Sequence, residues 1–238
     1  EGVMLVAKRP HVSPHDYDKA ARARLKAKIE SLGLTLVGLA GYTDFTAGID
    51  KPGIPNAEIQ AAWVGEIAEL AKDLGTGMVR VFTGYERPGI PYDKQYAEVV
   101  AGLKMAGDLA AEHGVMLAVQ NHHDIALHHD VMHWLMEEVN HPNVKVGWDA
   151  WSPTLEGLTS EELRQSILKM KPFIINTIAA DYVTHPRFTY KNQLTNYKAE
   201  QPVMRAVPMG QGIIDYQTWF ETLEEIGYQS WIVYEMCE

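Results

Sequence analysis

Val115-Met116-Leu117-Ala118-Val119-Gln120-Asn121-His122-His123-Asp124 is a short apolar run that breaks off into amides, imidazoles and a carboxylate. A buried parallel strand that delivers chemistry at its C-terminal end has this look. Gly114 precedes it and a helical pattern follows. Strand side chains alternate, so Gln120 and His122 share one side. In a barrel, that side is the inside, at the mouth.

The same unit recurs in both directions along the chain. Further apolar strands are expected at Val3–Ala7, Leu34–Ala40, Met78–Phe82, Val144–Asp149, Phe173–Ala179 and Trp231–Tyr234. Helical periodicity separates most of them. Ser13, Asn56, Asp93 and Asp215 are read as helix caps, Thr159 with Glu162 as a capping box, and a further helix is expected from about Asp130. Strand starts mostly lie about 30 to 40 residues apart, the length of a βα unit. Thr184 to Gln211 has no clear period and reads as a long functional loop or lid.

Alternation of this kind gives a parallel sheet covered by helices, either doubly wound or closed into a (β/α)8 barrel. No strand runs into a G-x-G-x-x-G turn or a Walker loop, and Gly210-Gln211-Gly212 is a weak signal. Polar residues at nearly every strand end favour the barrel, whose strand ends share one mouth. A barrel of this type needs eight strands, and seven can be read.

Composition narrows the function. The 238 residues carry a net charge of −10, which argues against nucleic acid and against an anionic membrane surface. The single cysteine, Cys237, excludes an internal disulfide and a thiolate metal cluster. No apolar run spans a bilayer and no signal peptide is visible, so a cytoplasmic location is expected.

The series VQNHHD (119–124), VGWDAWSP (146–153), IAADY (178–182), PMGQGIIDY (208–216) and EEIGYQSWIVYEM (224–236) resembles the xylose isomerase-like TIM-barrel superfamily, which includes sugar and sugar-phosphate isomerases and epimerases. The resemblance implies a single barrel domain over residues 1–238. It also implies that the first βα unit and the last helix are lacking, so the chain reads as a fragment or shortened form of a longer one.

By the same resemblance, the family's metal site falls on Gln120, Asp149, Ile178 and Glu235, in place of Glu, Asp, His and Glu. Asn176 shares parity with Ile178 and could lend an amide oxygen. Such oxygen ligands suit Mg²⁺ or Mn²⁺ better than Zn²⁺. The expected reaction is isomerisation or epimerisation of a sugar or sugar derivative through a metal-stabilised enediolate. Glu235 and His122 would be the acid/base pair, because Gln120 cannot accept a proton at neutral pH.

His11, Arg80, His123, Arg187 and Trp151 are candidate substrate contacts, Arg187 by its position after Asp181. Trp148 and Tyr182 could also stack on a sugar ring. The alternatives are a lyase or hydrolase on the same barrel, or a sugar- or partner-binding protein with a decayed centre. His129 and His133 echo a zinc motif, but Asp130 replaces its Glu and no third ligand is evident. The expected partners are a small-molecule sugar and further copies of the chain.

Overall fold

The computed structural model describes residues 1–235, so Cys237 lies outside the described residues. Seven parallel strands form one curved sheet: β1 (Gly2–Val6), β2 (Thr35–Ala40), β3 (Met78–Phe82), β4 (Met116–Gln120), β5 (Val144–Gly147), β6 (Ile174–Ala179) and β9 (Ile232–Tyr234). Each of the first five pairs with its successor in sequence, and β6 pairs with β9. The result is a nearly closed barrel of the (β/α)8 type, one strand short. The seam lies between β9 and β1. At its lower end the Trp231 ring comes within 3.1 Å of where a Cβ on Gly2 would stand.

Strand alternation explains both faces. Val79, Val81, Leu117, Val119 and Val146 are fully buried in the outer core beneath the helices. Arg80, Phe82, Ala118 and Gln120 have the opposite parity and fill the barrel. The helices are α1 (Lys19–Ser31), α2 (Asn56–Leu74), α3 (Tyr92–Glu112), α4 (His129–Val139), α5 (Trp151–Leu155), α6 (Ser160–Met170) and α7 (Tyr216–Glu225). Small residues on α2 (Ala57, Ala61, Ala68, Ala71) are buried and let it lie close to the sheet, whereas Ile59 is 51% exposed.

Two expected caps hold: Thr159 and Glu162 form a reciprocal capping box, and Asp215 accepts from Thr218 N. Others shift. Ser13 and Pro14 open only a single 3₁₀ turn, and Asp18 caps α1 instead. Pro55 and Pro91 stand at the N-caps of α2 and α3, so Asn56 and Asp93 lie inside the first turn. His128 caps α4, through a ring nitrogen that accepts from Asp130 N.

The segment read as an aperiodic loop is regular. Asp181–Lys191 (β7) and Asn196–Val207 (β8) form a long antiparallel hairpin, with a bulge between His185 and Arg187. It projects from the end of β6. Its polar and aromatic residues alternate, but both faces are solvated, so no buried stripe reveals the period.

Candidate active site

The strand ends converge around a buried carboxylate. Asp149 follows β5, is fully buried, and accepts three hydrogen bonds. Gln120 Nε2 donates to Oδ2 at 3.0 Å, Ser152 N to Oδ1 at 2.9 Å, and Ser152 Oγ to Oδ2 at 3.2 Å. Asn121 braces the backbone of the same residue. Its Oδ1 accepts from Asp149 N at 2.7 Å and its Nδ2 donates to Asp149 O at 3.2 Å. Sequence reasoning passed over Asn121, whose parity is opposite to that of Gln120. The available signal was a second amide adjoining the strand end.

Burial is the main force on Asp149. It pushes the carboxyl up to about 7, with the Glu235 charge adding to the rise, while the bonds from Gln120 and Ser152 oppose it. An acid poised near neutrality can hold or release a proton during turnover.

Glu235 follows β9, and its amide donates to Ala179 O at 2.8 Å. It lines a cavity of about 110 Å³ together with Met4, Val6, Arg80, Ile178 and Val233. The Arg80 guanidinium is 2% exposed, 4.1 Å from the Phe82 ring centroid and 4.8 Å from that of Tyr42. Burial lowers its pKa, and the charges of Tyr42, Glu235 and Asp149 oppose that shift. Arginine nevertheless stays charged in proteins. Its Nε and Nη1 are buried without a hydrogen-bond partner among the described residues. A fixed cation with free N–H groups thus faces the same cavity as a carboxylate. Lys8, over the Tyr42 ring at 3.5 Å, extends this cationic side. Neither Lys8 nor Tyr42 stood out in the sequence. A larger cleft of about 340 Å³, between the loop after β2 and α3, is lined by Glu58, Lys94 and Glu98, but the strand ends do not meet there.

The remaining candidates divide. His122 is exposed at the rim, edge-on to Phe82 at 5.3 Å and to Trp151 at 6.0 Å. Trp151 also lies 6.2 Å from Tyr182, so three rings border the mouth. Trp148 is fully buried on the outer side and donates to Ser166 Oγ. Asn176 lies one pleat deeper than Ile178, and its Nδ2 reaches Trp231 O at 3.4 Å. Ile178 is the residue that shares the cavity with Glu235. His11 is exposed on the turn after β1. Arg187 sits on the hairpin opposite Glu200, six residues beyond Asp181, or roughly 20 Å along an extended strand.

His123 is buried between Phe82 (4.0 Å) and Tyr85 (4.3 Å). Burial, followed by the His122 charge, pushes its pKa down to about 4. An unfolded histidine titrates near 6.5. Between these values the unfolded chain takes up a proton that the fold refuses. The stability linked to His123 is therefore present above about pH 6.5 and is lost as pH falls towards 4. His123→Phe should remove roughly 2 kcal/mol of the acid-induced stability loss. Urea unfolding of both proteins at pH 7.5 and pH 5 would measure it, and equal losses would refute it.

Two places could hold a metal. Gln120 Oε1 and Asn176 Oδ1 are buried acceptors without a donor among the described residues. With Asp149 and Glu235 they offer an oxygen set that fits a hard divalent cation. Among the described residues, His128, His129 and Asp130 at the start of α4 are the group of His, Cys, Asp or Glu whose ligand atoms lie within 4.8 Å of one another. There Asp130 already accepts from the Lys169 ammonium, and His128 Nδ1 from Asp130 N. His133 faces Glu137 at 3.5 Å rather than pairing with His129.

Residues 1–238 match a family model described as xylose isomerase-like TIM barrel. Among curated proteins, an inosose dehydratase of Geobacillus thermodenitrificans (strain NG80-2) is 23% identical over 153 residues, or 63% of this chain and 50% of that protein. The chain thus aligns with about half the length of that relative. Among solved structures, D-psicose 3-epimerase of Clostridium cellulolyticum H10 with D-tagatose superposes with a TM-score of 0.74 at 16% identity, covering 99% of this chain and 74% of that one. A probable 3-DHS dehydratase of Bacillus anthracis superposes at 0.72 and 17% identity, covering 99% and 82%. At these identities the two structures establish a shared fold. Among the described residues, no helix is long and apolar enough to cross a membrane.

Proposed function

Because the chain belongs to the xylose isomerase-like TIM-barrel family, we propose that it is an isomerase or epimerase of a sugar or sugar derivative, moving a proton at a carbon next to a carbonyl. The observation that carries this reading is the shared cavity of Glu235 and Arg80 at the strand ends, with the Glu235 charge also felt by Asp149.

Glu235 takes the proton from the carbon. The negative charge that develops on the carbonyl oxygen meets Arg80 Nε and Nη1, which have no hydrogen-bond partner among the described residues to give up. Donors already in place cost no reorganisation when the charge appears. His122, at the rim, delivers or removes the proton on the other face. Trp151 and Tyr182 offer a ring surface for the sugar. Gln120 Oε1, Asp149 and Glu235, with Asn176 level with Gln120 in the sheet register, would hold Mg²⁺ or Mn²⁺, which when bound polarises the substrate's oxygens.

A second reading, a dehydratase, is favoured by the curated relative, an inosose dehydratase. It shares the first step. After proton removal an isomerase or epimerase returns a proton to carbon, whereas a dehydratase expels the neighbouring hydroxyl as water.

Both readings predict exchange of the α-proton with solvent. Incubation with a panel of ketoses and inososes in D₂O, with added Mn²⁺ or Mg²⁺ and with EDTA, would reveal it by proton NMR. A new sugar diastereomer or isomer supports the first reading, and an enone absorbance supports the second. No exchange and no ligand-induced rise in Tm across the panel would overturn both. Loss of exchange in EDTA would assign the metal a role.

A further inference from the structure

The β7–β8 hairpin has two unlike faces. The cross-strand register sets Tyr190 opposite Tyr197, Phe188 opposite Ala199 and Thr184 opposite Met204. These pairs share one face, the bulge shifting the count on β8 by one residue, and none of them is charged. The other face collects Arg187, Lys198, Glu200 and Arg205. Lys198 and Glu200 pair there at 3.6 Å. The uncharged face lies in water: Phe188 is 61% exposed, Tyr190 48%, Tyr197 68% and Met204 44%, with Leu194 at the tip 75% exposed.

A two-stranded ribbon is marginal in water unless its apolar face is covered. The residues that make this face are large. Taking 150–250 Å² for each aromatic side chain, roughly 500 Å² of apolar surface is open per copy. That is near the largest patch a typical monomer leaves exposed. Two such faces stacked at the usual sheet spacing of about 10 Å would remove roughly 1,000 Å² from water, the lower bound for a specific interface.

We propose that the hairpin is a self-association arm, and that its occupant is the same face of a second copy, related by a two-fold axis. A two-fold contact needs a self-complementary patch, and an uncharged aromatic ribbon meets that need. Charge favours the same arrangement. The chain carries −10 overall, so two bodies repel. Contact is least costly through a face without charge, backed by basic side chains. The arm starts at Tyr182, whose ring lies 6.2 Å from Trp151. Dimerisation would therefore also fix the wall of the mouth.

Sedimentation velocity of the full chain, with Phe188→Glu/Tyr197→Glu and Lys198→Glu/Arg205→Glu variants, tests the proposal. Wild type should run at twice the 26.7 kDa chain mass. The aromatic-face variant should run as a monomer, its self-affinity weakened at least about a hundredfold, with unchanged far-UV circular dichroism. The charged-face variant should remain a dimer. A wild-type monomer at about 100 µM would overturn the proposal. Retention of the dimer in the aromatic-face variant, or its loss only in the charged-face variant, would do the same.

Discussion

Glu235→Gln is expected to lower the rate of α-proton exchange about a thousandfold, within the 10²–10⁴ range for losing a positioned acid/base group, while Tm moves little. The substitution keeps size and hydrogen-bonding capacity but cannot take a proton at neutral pH. Its effect should fall on kcat rather than KM, since proton removal belongs to the transition state and not to binding. Two further readouts follow the substitution through the site. The Glu235 charge is one of the forces raising the Asp149 pKa, so the variant should titrate Asp149 lower. His122→Asn should suppress product formation more than exchange, because the first proton still leaves through Glu235. An exchange rate within tenfold of wild type in Glu235→Gln would remove Glu235 from the chemistry.

What the sequence disclosed and what it hid have physical reasons. A strand buried on both faces is a continuous apolar run, and the same apolar run marks β1 and β9, which stay half-exposed at the seam, so all seven barrel strands were legible to within a residue or two, with β5 ending at Gly147 rather than Asp149. The Gln120–Asp149 contact was legible in outline, because strand-end polar residues of inward parity must meet in a barrel. The brace from Asn121 and the ring sandwich around Arg80 were not legible, since each depends on a neighbour brought by another element. Tyr42 lies 38 residues from Arg80. The hairpin hid for the opposite reason: a ribbon solvated on both faces shows no burial pattern, and its bulge interrupts the alternation. Arg187 was placed near the substrate by resemblance, from its position after Asp181, and the structure sets it six residues along an extended arm.

Asp181→Ala is expected to destabilise the protein by about 3 kcal/mol, because it orphans several backbone donors at once. The Asp181 side chain is 1% exposed at the base of the arm. Its Oδ2 accepts from Gly210 N at 2.9 Å and Gly212 N at 2.8 Å, and its Oδ1 from Tyr182 N at 2.9 Å and Ile214 N at 3.3 Å. The Gly-Gln-Gly turn, a weak hint of phosphate binding in the sequence, thus encloses the protein's own carboxylate. Each donor left unsatisfied costs about 1–3 kcal/mol, and water entering the gap returns part of it. Asp181→Asn keeps one acceptor oxygen and should cost about half as much. Gly212→Ala attacks the same clamp from the other side, since its Cβ would stand 2.0 Å from Asp181 Oδ1 and 2.5 Å from Tyr182 O. The two changes break one set of bonds, so in a double-mutant cycle Asp181→Ala should add little to Gly212→Ala. Urea unfolding would give the four energies, and hydrogen exchange should show faster opening at residues 208–214. Full additivity would mean that the carboxylate and the turn act separately, and that the arm is held at its base by something else.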